Sequence, residues 1–188
     1  VFIGGGRPKK TGIDGVIDDG LSLKKGATAM TNDTIHPDPP PLRFLYRSIV
    51  TVAEPLLVGQ IAAGQRRIIN ITGGTFTGER LSGIILPGGA DWQIIRSDGI
   101  TELVARYTLQ TDDGALIYVV NRGFRHGPED VMARLAAGEP VDPSQYYFRT
   151  TPVFETGSPE YRWLNGVVAV AVGERQASEV IITVYEVT

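Results

Sequence analysis

Hydrophobic residues in this chain alternate with polar ones over short runs that stop at glycine-rich turns, the period-two signature of β-strands. Aromatic and β-branched residues crowd Arg43–Ala53. Arg66–Thr72 reads as a strand ending at Gly73-Gly74, with Thr75–Thr77 resuming after that break, and Leu81–Leu86 closes at Pro87-Gly88-Gly89. Ala90–Ser97 and Ile100–Thr111 stop at Asp98-Gly99 and Asp113-Gly114, dipeptides that supply the positive φ a tight hairpin needs. Ala115–Phe124, Val167–Val172 and Val180–Val187 follow, the last two separated by the polar stretch Gly173–Glu179.

One segment carries helical spacing instead. Pro128-Glu129-Asp130 opens it with a proline at the first turn and two acids suited to the helix dipole. Val131, Met132, Leu135 and Ala136 then recur along one face, and Gly138 ends the run, which predicts a short helix near Glu129–Ala137. Leu56–Ala63 is a weaker helix candidate that reads equally well as a strand approach.

The strand faces narrow the architecture. Leu103, Ala105, Tyr107 and Leu109 share one face of their strand; Val104, Arg106, Thr108 and Gln110 share the other. Ile117 and Val119 lie opposite Leu116, Tyr118 and Val120, and Val167–Val172 is apolar on both faces. A single sheet with one wet side would alternate more cleanly. The expected fold is therefore all-β, a closed antiparallel up-and-down barrel of lipocalin-like form with roughly eight to ten strands, one short helix, and a lumen sized for one small ligand.

Composition sets the boundaries. At 188 residues and 20.3 kDa the chain suits one well-buried core. Residues 1–41 are expected to form an N-terminal extension or arm, with Gly4-Gly5-Gly6, two lysine pairs and a proline-rich end, and Met30 as a second candidate start; residues 42–188 are expected to form one barrel domain. A net charge of −3 argues against a phosphate-binding face, so no nucleic-acid partner is expected. Cysteine is absent, which removes disulfides, thiolate nucleophiles and cysteine-held metals. With no long apolar run and no signal-peptide pattern, the expectation is a soluble cytoplasmic protein with no membrane partner. The doubly apolar Val167–Val172, with one short helix to cover a whole barrel, points to a homodimer.

Candidate chemistry centres on a few positions. Asp91, beside Trp92 at a strand mouth, reads either as a general base raised by burial or as a turn-capping aspartate. Arg106 sits mid-strand, either steadying a developing negative charge or lying exposed on the outer face. Arg149 and Glu155 read as a structural ion pair or, if they point separately into the lumen, as an anion-binding and acid–base set, with the pair preferred. Trp92, Tyr118, Tyr147 and Trp163 are candidate cavity walls, each with a polar handle, and Trp92, Tyr147 and Trp163 are expected to share one cavity. Asn165 follows Trp163 as a candidate ligand contact. His36 and His126 have no second ligand at metal spacing, so no metal site is expected, and nothing signals a cofactor.

These residues fall in ordered motifs: GGADW (Gly88–Trp92), ARYTLQTDDGALIYV (Ala105–Val119), YYFRT (Tyr146–Thr150), FET (Phe154–Thr156) and WLN (Trp163–Asn165). Together they resemble the bacterial and fungal family catalogued as domain of unknown function 3237, over about Leu42 to Thr188. The resemblance implies a closed antiparallel barrel with a lumen open at one end, and no assigned reaction.

Two function classes remain in view. One is a cofactor-independent enzyme, an isomerase or lyase in kind, moving protons on a small carbonyl or aromatic compound, with Asp91 or Glu155 as base and Arg106 or Arg149 steadying charge. The other is a lipocalin-like binding protein with no catalysis, and an oligomer scaffold is a third possibility. The discriminator is geometric: an enzyme needs a carboxylate free of its arginine and within reach of an enclosed cavity.

Overall fold

The computed structural model describes Asp38–Thr188. The expectations for Gly4-Gly5-Gly6, Met30 and His36, and for the arm as far as residue 37, lie outside the described residues.

Ten strands and one helix follow in order: β1 (Leu42–Val52), β2 (Leu56–Ile61), β3 (Gly64–Thr77), β4 (Ser82–Ile85), β5 (Gly89–Ile95), β6 (Thr101–Thr111), β7 (Leu116–His126), α1 (Glu129–Ala136), β8 (Tyr147–Glu155), β9 (Ala169–Arg175) and β10 (Glu179–Val187). Every pairing is antiparallel. β4 and β5 each bridge β3 and β6, at successive levels, so the two short strands make one interrupted stave. The ring then runs β1, β10, β9, β8, β7, β6, β4 with β5, and β3, and the β1–β3 pairing closes it into an eight-stave barrel. β2 stays off the ring as a hairpin on the start of β3. Closure removes the free edges of the ring, which is what an up-and-down barrel achieves.

Three local expectations need correction. β3 runs through Gly73-Gly74 without a break. Both glycines adopt positive φ, and a Cβ on Gly74 would lie 2.2 Å from the Ile49 carbonyl oxygen, so the pair lets β1 approach closely where a side chain would force it away. Leu56–Ile61, where a helix was one option, is a strand. Tyr147–Glu155, not assigned to a strand from sequence, is the strand β8, alternating exposed and buried positions along its length.

The helix forms where the spacing predicts. Glu129 and Asp130 occupy its first turn, Arg134 its last, and Gly138 beyond it adopts a φ of +77° that its own flexibility permits. Val131 and Leu135, four residues apart, are the buried pair that seats it.

Inward residues divide the barrel into two halves. One half is filled: Tyr46 meets Phe76 at 5.6 Å and Phe154 at 6.2 Å edge to face, with Ile85, Leu109, Ile117 and Val184 fully buried around them. Leu164, from the 3-10 turn Arg162–Gly166, is buried in the same cluster. Burying each such side chain stabilises the fold by roughly 1.5–3 kcal/mol. The other half carries polar residues on the same inward register, and it holds the site.

Candidate functional site

The inward face of β5 presents Asp91 and Gln93, opposite Ile69 and Arg67 of β3. On β6 and β7 the inward alternation gives Leu103, Ala105 and Tyr107, then Val119, Asn121 and Arg125. β8 adds Phe148 and Thr150, and β9 ends at Arg175. With Val50, Val52, Ile71, Val180 and Ile182 these residues, Arg67 and Val119 excepted, line a cavity of about 60 Å³. A water-sized sphere needs about 10–15 Å³ of such space, so the lumen takes the reacting portion of a small molecule.

Asp91 is the carboxylate of this lumen. The β5–β6 ladder has no paired residues at Trp92 and Gln93, and there the Asp91 Oδ1 accepts from the Val104 backbone N–H at 3.0 Å. Its Oδ2 accepts from Gln93 Nε2 at 2.6 Å. Burial is the largest influence on this carboxyl and pushes its pKa up; the bonds from Gln93 and Val104 and the charges of Arg125 and Arg67 return only part of that shift. Asp91 makes no ion pair within 4.0 Å among the described residues. The capping alternative therefore fails, since the carboxylate bonds across the sheet.

Around it stands a set of groups with spare bonding capacity. Arg125 is 6% exposed and its Nε has no hydrogen-bond partner. Burial and the neighbouring charge of Arg67 bring its pKa down to about 10, so the guanidinium stays charged at neutral pH. Its side chain lies over the Phe148 ring at 5.7 Å. Phe148 fits there because Gly173 has no side chain: a Cβ on that glycine would lie 2.6 Å from the ring. Asn121 Oδ1 and Thr150 Oγ1 are likewise buried without partners. Such atoms cost stability unless a bonding partner reaches them, so their convergence on one cavity marks it as a place built to receive polar groups. Tyr107, also on this wall, has its phenol pushed up to about 12 by burial, and so it stays a neutral donor.

A second cavity of about 610 Å³ adjoins this one. Ile69, Arg125 and Arg175 line both, Arg67 lines the second alone, and the outer wall is α1, through Glu129, Met132 and Leu135. The lumen thus adjoins a vestibule under the helix, with Arg125 and Arg175 at the shared wall.

Of the residues expected from the sequence, Asp91 reaches this lumen. Arg106 is exposed on the outer face of β6, 5.8 Å over the Trp92 ring, which faces outward with it. Tyr118, Tyr147, Arg149 and Glu155 are exposed on the outer faces of β7 and β8. Arg149 and Glu155 do not pair; they are six residues apart on one strand, roughly 20 Å. Arg149 instead donates to its neighbour's carbonyl at Phe148 and covers the Tyr147 ring at 5.3 Å. Trp163 lies under the Arg80 guanidinium at 4.0 Å. Trp92, Tyr147 and Trp163 therefore share no cavity, because the pleat turns the first two outward and the third sits on the turn after β8. Asn165 clamps that turn, accepting from Thr156 N and donating to Thr156 O, both at 2.9 Å.

The residues not singled out from sequence are Arg67, Gln93, Asn121, Arg125, Thr150 and Arg175. Their signal was parity: Arg125 lies an even number of positions from Ile117 and Val119, Arg67 from Ile69, and Gln93 from Asp91. Among the described residues there is no cluster of metal-binding side chains, and no helix is long and apolar enough to cross a membrane.

Comparison with known proteins adds four relationships. The family described as "Protein of unknown function (DUF3237)" matches residues 40–187. A UPF0311 protein of Rhodopseudomonas palustris is 46% identical over 145 residues, covering 77% of this chain and 95% of the relative. The crystal structure of a beta-barrel like protein from Acinetobacter baumannii superposes with a TM-score of 0.72 at 47% identity, covering 82% of this chain and 99% of that one. A hydroalkoxylation enzyme of Penicillium herquei is 29% identical over 143 residues, covering 76% of this chain and 80% of the relative.

Proposed function

The chain belongs to the DUF3237 family, and on that premise we propose that it is a small-molecule enzyme whose chemistry is proton transfer at Asp91 inside the barrel. The observation that carries the reading is a carboxyl raised by burial, with no ion pair among the described residues, on the wall of the barrel cavity. A carboxyl raised in this way is a stronger base than an exposed one, which suits it to general acid–base catalysis. The fungal relative's name, hydroalkoxylation, denotes addition of an O–H bond across a carbon–carbon double bond, a reaction of this proton-transfer class.

The step balances with this chain's own groups. The Asp91 carboxyl delivers its proton to one carbon of the double bond. The substrate hydroxyl oxygen bonds to the other carbon and surrenders its proton to the Asp91 carboxylate, which regenerates the acid. Isomerisation uses the same carboxyl to protonate one carbon and deprotonate another. Arg125, Asn121 and the neutral Tyr107 phenol supply hydrogen bonds to a substrate oxygen that gains negative charge.

Solvent exchange tests this without knowledge of the natural product. Enolisable ketones and hydroxyl-bearing alkenes are incubated with the protein in deuterated water, and deuterium at carbon is followed by NMR. The wild-type protein is expected to catalyse incorporation on at least one scaffold, and Asp91→Asn to slow it by about 10²–10⁴-fold while ligand-induced shifts persist. An Asp91→Asn variant that exchanges at the wild-type rate overturns the assignment, leaving the lumen as a binding site only.

A further inference from the structure

Arg125 and Arg175 line both the lumen and the vestibule, and Arg67 lines the vestibule, bonded to Gln93 of the lumen wall. They come from β3, β7 and β9, where Arg67 faces Gln93, Arg125 faces Phe148 and Arg175 faces Val180 at the end of its strand, and they are close enough for their charges to act on one another. None of the three is within 4.0 Å of a carboxylate among the described residues. Their bonds go to neutral groups: Arg67 Nε to Gln93 Oε1 at 2.8 Å, and Arg175 Nη1 to the Glu179 carbonyl at 3.1 Å. Arg125 Nε, deeply buried, has no partner. Asp98 and Glu129 line the outer vestibule, but neither pairs with the three.

This is an unusual concentration of like charge. Each guanidinium is held below its ordinary pKa by burial, and Arg125 is lowered further by both of its arginine neighbours. Asp91, with Glu54 acting on Arg175, sets two negative charges against three positive ones, and Gln93 stands between Asp91 and Arg67. Planar guanidinium forks match carboxylate oxygens in pairs, a geometry that an amide or alcohol does not supply.

We propose that Arg67, Arg125 and Arg175 form an anion-binding collar, and that the substrate class is a small organic carboxylate held at the collar with its apolar body directed into the lumen. The inference rests on the lumen being the reactive chamber, and it adds the handle by which the substrate is oriented. The apolar wall of Val50, Ile69, Leu103 and Ile182 receives the body, and the carboxylate stays at the vestibule boundary, where the three charges gather.

Benzoate and its neutral isostere benzamide test the collar by titration calorimetry on the folded chain. Benzoate is expected to bind at least 10-fold more tightly than benzamide and to weaken with added salt. Arg125→Gln should erase that preference, and Arg67→Gln and Arg175→Gln should each reduce it several-fold. The two peripheral variants decide the matter should Arg125→Gln fail to fold. Asp91→Asn should bind benzoate as tightly as wild type or more so, because it removes a negative charge from the same chamber. Equal binding of benzoate and benzamide, or an undiminished preference in all three arginine variants, overturns the collar. That result leaves proton transfer at Asp91 standing, whereas a loss of exchange activity in Asp91→Asn with no benzoate preference in wild type separates the two readings in the same way.

Discussion

Gln93 donates from Nε2 to Asp91 Oδ2 over 2.6 Å, and the Oε1 of the same amide accepts from Arg67 Nε over 2.8 Å. The amide spaces a guanidinium from a carboxylate that would otherwise pair with it. A close ion pair would pull the Asp91 pKa back down, against the upward push of burial. Gln93→Ala is therefore expected to let Arg67 close on Asp91 and lower its pKa, shifting the acidic limb of the exchange-rate profile to lower pH. A carboxyl-carbon NMR titration reads the change directly. A pKa that rises instead shows that only the amide's own hydrogen bond was lost, and the spacer role fails.

The support beneath Arg125 has a steric signature. Gly173→Ala places a methyl group 2.6 Å from the Phe148 ring, so the ring must move or β9 must withdraw. Overpacking of this kind costs about 1–3 kcal/mol. Urea unfolding should show the loss, and benzoate affinity should fall with it because Arg125 rests on that ring. Stability within the error of wild type would mean that the seam between β8 and β9, paired only at Arg149–Val172 and Thr150–Ala171, yields freely.

Acid stability should depend on Glu186, far from the lumen's polar end. This glutamate is 4% exposed and accepts from Arg43 and, at 2.6 Å, from Arg80. Burial opposes its ionisation, but the bonds from Arg80 and Arg43 outweigh it and hold the carboxyl below the ordinary glutamate value of 4.5. A folded-state pKa below the unfolded one contributes stability above the unfolded pKa, and that contribution disappears as pH falls through the folded pKa. Glu186→Gln is accordingly expected to be less stable than wild type at pH 7, with the gap closing below pH 4.5. Thermal melts of both proteins across this range make the comparison, and a gap constant with pH would remove the ion pair as its cause.

A homodimer is also expected, through the outward valines of Val167–Val172 together with the apolar residues beside them. Ala169 and Ala171 of the valine-rich segment point inward and are buried. The exposed apolar residues Leu42, Phe44, Phe124 and Tyr147 lie on the outer wall, where Val170, Val172 and Tyr185 line a shallow groove with Leu42, Phe124 and Tyr147. Closed two-fold association is the common way to cover such a patch. Light scattering at micromolar concentration should give twice the chain mass, and Phe124→Asp should halve it. A wild-type chain that runs as a monomer ends the idea.

What the amino-acid sequence determined by itself was local. The alternation of apolar and polar residues, broken at Asp98-Gly99 and Asp113-Gly114, is enough for antiparallel strands, and the spacing of Val131 and Leu135 is enough for the helix. The same alternation already separates Leu103, Ala105 and Tyr107 from Arg106, and Ile117 and Val119 from Tyr118, so the outward positions of Arg106 and Tyr118 were legible there. Only the tertiary structure decided which inward polar residues meet. Parity assigns a side chain to a face, but the height it occupies inside a barrel depends on the register of staves far apart in the chain and on the closure of β1 against β3. That closure brings Arg67, Arg125 and Arg175 to one cavity wall, with Asp91 in the adjoining lumen and a packed aromatic cluster in the other half, and no pattern within any single strand contains that information.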